Sequence, residues 1–263
     1  MGITFQSGTA QRVMGTMLFV PVVAAFILSQ HAAQWIFLAF SLIMVWEFCA
    51  MLQLTRAVRV LLLLEFILFA LPAGLFARFE MLAGGPLLPT MLALGGLVVV
   101  FIGAATRNSL ATGFVALLIL CILSGRELLG VGGGHHLVLG LAVIVAVCDI
   151  AAYFVGRRIG GWRLAPAISP KKTLSGAAGG TIGAVIVSMI LLQMVGVGAG
   201  RAIIAGVIIA VLAQAGDLLE SALKRRMQVK DSGRLIPGHG GFLDRFDGYL
   251  LTLPALCIYS LVF

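Results

Sequence analysis

Charge is what this sequence has least of. Only 11% of its 263 residues are Asp, Glu, Lys or Arg, against roughly 25% in an average soluble domain. A water-soluble fold of this size has no means of covering 61% hydrophobic residues with so few charges. Long polar blocks are also missing, so no segment is expected to fold apart from the rest. One membrane domain over residues 1–263 is the expected organisation. Paired cysteines are absent too. Cys49, Cys121, Cys148 and Cys257 each sit inside an apolar segment with no Cys-x-x-Cys spacing, and read as buried small hydrophobes. No period of about 20–50 residues recurs, which argues against a solenoid. No Walker-type or dinucleotide-binding glycine pattern is present either.

Long apolar runs, by contrast, are plentiful. A helix needs about 20 apolar residues to cross a bilayer. Nine stretches approach that length: 13–30, 34–53, 58–77, 87–106, 108–125, 137–156, 176–197, 202–222 and 246–263. The expected fold class is all-α, a polytopic integral membrane protein with about nine transmembrane helices. Arg107 marks the junction of the fourth and fifth stretches, and the third carries Glu65 and ends near Pro72 and Gly74. Arg12 precedes an apolar stretch with no small-residue cleavage site, which predicts a first permanent span rather than a cleaved signal peptide.

The basic residues test that count. With the N-terminus in the cytoplasm, 15 of the 18 Lys and Arg residues fall on one face, and only Arg78, Arg126 and Arg201 on the other. Cytoplasmic loops collect such residues, so nine spans, N-terminus inside, is the favoured topology. The net charge of +8 is thereby concentrated on one side. It can orient the protein and touch anionic lipids, or bind an anionic substrate; no nucleic-acid partner is expected.

Residues 1–148 read mainly as scaffold helices. Glu47 and Glu65 fall inside spans, where a carboxylate is costly and is functional, paired, neutral or close to an interface. His135 and His136 follow a glycine-rich stretch on the expected outer face and read as a solvated loop more readily than as a metal site. The small residues of 174–206 suggest close helix packing.

Polarity rises at residue 149. Asp149, Tyr153 and Gly156 share one helical face, as do Asp217, Glu220, Ser221 and Lys224. Asp244 and Asp247 stand where the last apolar stretch begins. Carboxylates in such places need partners. Neighbouring Lys and Arg side chains can serve, and so can a divalent cation with oxygen ligands beside a phosphate substrate, as Mg²⁺ prefers. Three acidic segments among so many basic residues favour the anion-plus-metal arrangement. Residues 169–173 read Ser-Pro-Lys-Lys-Thr and 237–241 read Pro-Gly-His-Gly-Gly. Glycines let backbone N–H groups approach phosphate oxygens, and Lys neutralises their charge. His239 is a candidate general base, or equally a hydrogen-bond donor to phosphate.

Residues 221–247, SALKRRMQVKDSGRLIPGHGGFLDRFD, resemble the signature of the phosphatidate cytidylyltransferase (CDP-diacylglycerol synthase) family: Ser-x-apolar-Lys-Arg, Lys-Asp, Pro-x-His-Gly-Gly, then Asp-Arg-x-Asp. Asp149–Gly160 is similar to that family's Asp-x-x-Ala-Tyr-x-x-Gly-basic-x-x-Gly stretch, and Ser169–Gly180 to its Ser-Pro-Lys-Lys-Thr-x-x-Gly-x-x-Gly-Gly stretch. The likeness covers about 149–254, the expected catalytic motif region, with a fragment at Trp46–Glu47. Ser175, Ile150 and Gly248 depart from the commoner residues at their positions.

The resemblance implies Mg²⁺-dependent transfer of a cytidylyl group from CTP to phosphatidate, giving CDP-diacylglycerol and pyrophosphate for phospholipid biosynthesis. It implies that Asp217 and Asp244 hold metal, with Asp247 close by. Ser221, Lys224, His239 and Arg245 would line the phosphate site. Lys171, Lys172 and Thr173 would face the nucleotide or the lipid phosphate. Ser169, Arg225, Lys230, Asp231, Gly240, Gly241, Asp149 and Tyr153 are the further substrate-binding candidates. A monovalent cation such as K⁺, a homodimer, and a cytoplasm-facing site in the inner membrane are also implied. Two alternatives stay open: a related lipid enzyme, such as a polyprenol kinase or an ether-lipid cytidylyltransferase, and a transporter of anionic lipids or metabolites.

Overall fold

The computed structural model describes residues 21–83, 88–233, 235 and 240–262. The labelled helices are α1 (Gln30–Met51), α2 (Arg56–Ala70), α3 (Ala73–Ala83), α4 (Leu88–Thr106), α5 (Ser109–Gly130), α6 (Gly134–Ile159), α7 (Leu174–Met194), α8 (Ala199–Arg226) and α9 (Tyr249–Val262). Residues 21–28 are also helical; residues 13–20 of the first expected span lie outside the described residues. Among the described residues five helices, α1 and α5 to α8, are long and apolar enough to cross a membrane.

Several helix ends follow directly from their residues. Ser29 caps α1 by accepting from Ala32 N, Asn108 caps α5 by accepting from Leu110 N and Ala111 N, and Thr173 caps α7 by accepting from Gly176 N. The stretch expected as one span over 58–77 is instead two helices. Leu71 turns extended, with ψ 137°, and the Pro72 carbonyl accepts from Leu75 and Phe76 as α3 begins. Proline has no N–H to give to α2 and keeps the residue before it out of the helical region. The last expected span is likewise shortened. Residues 243–245 form a 3-10 turn and α9 starts only at Tyr249, which leaves Phe246 and Asp247 ahead of the helix.

The all-α expectation fails in one place. β1 (Arg163–Ala165) and β2 (Ser169–Thr173) form an antiparallel hairpin that pairs Arg163 with Thr173 and Ala165 with Ser169. Ser-Pro-Lys-Lys-Thr is therefore a strand and not an irregular loop. Pro170 is tolerated because a two-stranded hairpin consists of edge strands.

Two packing arrangements position the site. An apolar core joins α1, α2, α5 and α9, with Phe48 and Phe114 stacked at 5.3 Å. Beside it α6, α7 and α8 lie in very close contact. A Cβ on Gly176 would stand 2.8 Å from the Ala152 carbonyl oxygen and 3.2 Å from Gly156 Cα, so α6 and α7 meet almost backbone to backbone. Helix alternation brings Arg56, Arg107, the hairpin and the end of α8 to one end of the molecule, where Asn108 Nδ2 lies 3.5 Å from Met227 Sδ. At the other end Gln30 and Gln34 donate to the Leu129 carbonyl.

Candidate active site

A cavity of about 740 Å³ opens at the basic end. α6 contributes Asp149, Tyr153, Gly156 and Arg157 from a single face, and β2 contributes Lys171, Lys172 and Thr173. α8 adds Gln214 and Asp217, one turn apart. Asp244 and Arg245 come from the 3-10 turn, and Asp247 from just before α9. Four carboxylates and four cationic side chains thus line one space, drawn from segments almost 100 residues apart.

The carboxylates are held in different ways. Asp217 pairs with Lys172 and accepts from Ser221 Oγ at 3.3 Å. Asp244 accepts from Lys224 Nζ at 2.6 Å, from Gly241 N at 2.9 Å and from Ser232 N at 3.0 Å. Burial alone would push its carboxyl up, but the Lys224 ammonium and those N–H groups together hold it below the ordinary range. Asp247, in the turn ahead of α9, behaves oppositely. Burial first, and then the nearby charge of Asp217, push it up to about 7. Lys224 does not line the cavity: it is buried between Asp244 and Glu220, the latter 3.4 Å away and fully buried.

Other sequence candidates sit outside the cavity. Arg225 ties the hairpin to the end of α8 by donating to the carbonyls of Ile168 and Val229. Lys230 and Asp231 are exposed, and Ser169 is half-buried at the start of β2. Gly240 takes φ +86°, a conformation that favours glycine. His239 lies outside the described residues. From sequence alone Gln214 and Ser232 carry no role, Arg157 enters only as the basic position of the 149–160 stretch, and Glu220 only as a carboxylate on the face of Asp217. Gln214 stands one helical turn before Asp217, a spacing that could have flagged it. Ser232 carries no pattern of its own.

The fit to a divalent metal rests on donor chemistry. Among the described residues no group of three or more His, Cys, Asp or Glu side chains forms a ready-made centre. Asp149, Asp217 and Asp247 nevertheless line the same cavity with oxygen donors only, and the field of Asp217 and Asp149 on Asp247 is one that a hard cation would relieve.

Fold and cavity together define a class: a polytopic helical membrane protein with a site of opposed carboxylates and cations at one end of its helices. The chain belongs to the cytidylyltransferase family, whose profile matches residues 10–263. It is 42% identical over 131 residues to a phosphatidate cytidylyltransferase of Brucella suis, a match covering 49% of this chain and 48% of that protein. It is 44% identical over 127 residues to the Staphylococcus aureus (strain COL) enzyme of that name, over 48% of this chain and 49% of the relative. The chain thus spans about half the length of the curated relatives it matches.

Proposed function

We propose that this protein is a phosphatidate cytidylyltransferase, converting CTP and phosphatidate into CDP-diacylglycerol and pyrophosphate. The observation that carries the reading is the cavity itself. The three motif segments 149–157, 171–173 and 244–247 line one charged space at the end of apolar helices. A lipid phosphate at the membrane surface and a cytosolic triphosphate can meet there.

An ionised phosphate oxygen of phosphatidate attacks the α-phosphorus of CTP. A new P–O bond forms, the bond to the bridging oxygen breaks, and pyrophosphate departs with that oxygen and its electron pair. Ionised phosphate is already a competent nucleophile, so no protein base is required. Lys171, Lys172, Arg157 and Arg245 neutralise the phosphates and align the two substrates, and positioning together with charge stabilisation supplies most of the acceleration. Asp217 and Asp247 would hold Mg²⁺, rather than the expected Asp217 and Asp244 with Asp247 close by, because Asp244 already accepts from Lys224, Ser232 and Gly241. A divalent ion held there would supply neutralisation of charge developing on the triphosphate. The reading includes a site facing the cytoplasm of the inner membrane, supported by the 15-to-3 division of basic residues. The nine-span, N-inside topology and the homodimer belong to it as well.

Purified protein given phosphatidate, Mg²⁺ and CTP labelled at the α-phosphate should form labelled lipid, and chelation should stop it. A lipid kinase would transfer label only from the γ-phosphate, and a transporter would label no lipid. Either result would replace the proposal.

A further inference from the structure

The loop that carries Asp244 is tied down from the opposite half of the chain. Glu47, on α1 among the expected scaffold helices, is 3% exposed. Its Oε2 accepts from Ser232 Oγ at 3.1 Å and from the Leu243 backbone N–H at 2.8 Å, 185 and 196 residues further on. One donor is Ser232, which itself binds Asp244, and the other, Leu243, is the first residue of the turn that holds Asp244. Ser232 gives its own N–H to both Asp244 oxygens, and Gly241 gives its N–H to Asp244 Oδ2. The fit leaves no spare room. A Cβ on Gly241 would stand 2.8 Å from Glu47 Oε2 and 2.5 Å from Gly233 N, and one on Gly233 would stand 2.7 Å from Glu47 Cδ.

Glu47 is absent from the cavity lining, so it does not meet substrate directly. Among the described residues, its hydrogen bonds go to Ser232 and Leu243. A carboxylate is costly to bury in an apolar bundle and needs strong donors in return. Here the donors are Ser232 and the first residue of the turn that delivers Asp244 and Arg245 to the cavity.

We infer that Glu47 is a positioning residue, clamping Ser232 and Leu243 so that Asp244 and Arg245 keep their places in the cavity. Its catalytic consequence rests on the proposed cytidylyl transfer; the clamp itself does not.

Hydrogen exchange at the Gly241 and Leu243 amides of the detergent-solubilised full chain reads the clamp without substrate. Glu47→Ala should speed exchange there about 10- to 100-fold, the scale of losing a charged acceptor, while α6 to α8 exchange as before. Glu47→Gln keeps the shape and one acceptor and should recover most of the protection. Ser232→Ala removes one donor with little void. It should speed loop exchange about threefold to tenfold, and adding it to Glu47→Ala should change nothing further. In the labelled-CTP assay Glu47→Ala should lower kcat by about 10- to 100-fold, leave KM for CTP within about twofold, and be rescued by Gln.

Unchanged exchange at Gly241 and Leu243 overturns the inference, in Ser232→Ala alone if Glu47→Ala does not fold. Acceleration spread evenly through α6 to α8 also overturns it, because Glu47 would then be a general stabiliser. A freed loop with unaltered kcat removes the positioning role. Should the wild type make no labelled lipid, the functional reading falls separately, and the exchange pattern still decides the clamp.

Discussion

Asp217 keeps 30% of its side chain exposed and pairs with Lys172, whereas Asp244 is 9% exposed and accepts from Lys224 and two backbone N–H groups. Their Asn variants should therefore fail differently. Asp217→Asn loses a half-exposed ion pair, worth about 0–1 kcal/mol. The protein should melt nearly as before yet lose CTP-dependent lipid product and any stabilisation by Mg²⁺. Asp244→Asn turns an amide donor or a weaker acceptor toward Lys224, Ser232 and Gly241. About 3 kcal/mol of stability should go with the activity. A thermal melt beside the assay separates the two, and wild-type turnover in stable Asp217→Asn protein would remove it from the metal site. Lys172 lines the cavity and balances Asp217. Lys172→Gln should raise KM for CTP or phosphatidate about tenfold, the scale of one charge-assisted phosphate contact, with the melting temperature little changed. An unaltered rate at limiting substrate would return Lys172 to a purely orienting charge. Asp217, Asp244 and Lys172 were all legible as candidates, because acidic and basic residues are rare in so apolar a chain. Glu47 was visible as an anomaly but its partners were not, since Ser232 and Leu243 are ordinary residues far along the sequence.

Among the elements, the α6–α7 contact is a close link between the motif segments. Gly156 and Gly176 let α6 bring Asp149 and Arg157 alongside Thr173 and the start of α7, where a Cβ on Gly156 would stand 2.8 Å from Thr173 Oγ1. Gly176→Val should force the helices apart, cost about 1–3 kcal/mol and reduce activity by displacing β2 relative to Asp149. Gly113, in α5, is the control, since a Cβ there meets nothing within 4 Å. Gly113→Ala should leave activity intact and stabilise the helix by about 0.5–1 kcal/mol. Equal melting behaviour of the two variants would show that the close approach carries no stability. The small-residue pattern of 174–206 pointed to close packing, but spacing alone named no partner helix. The hairpin was hidden because a five-residue strand ending in Thr173 shows too short a period to distinguish it from a loop.

For the molecule as a whole, helix alternation places Ala167, in the hairpin turn, and Gly132, between α5 and α6, at opposite ends. Both are exposed, and the four native cysteines are buried, so single introduced cysteines give a clean topological readout. In intact cells an impermeant thiol reagent should label Gly132→Cys, and it should reach Ala167→Cys only after permeabilisation. Labelling of position 167 from outside would put the cavity on the wrong side for cytosolic CTP, and the substrate-access argument would fail with it.

The sequence by itself determined the class: too few charges for a soluble fold, apolar stretches of membrane length, and a signature with carboxylates and cations at fixed spacings. Those are local properties, and solvation and helix periodicity impose them on any conformation the chain adopts. It also marked the right ends of α6 and α8 as the place where polarity gathers. Only the tertiary structure decided which charges meet. Pairing of Lys172 with Asp217, of Lys224 with Asp244, and of Glu47 with Ser232 joins residues tens to nearly two hundred positions apart. Such contacts depend on how helices stack and how a turn closes, and no local spacing encodes them. The late start of α9 at Tyr249 has the same origin, whereas the early end of α2 follows from Pro72, a local signal that hydropathy does not weigh. Hydropathy measures where a chain can be buried, while backbone hydrogen bonding fixes where a helix stops.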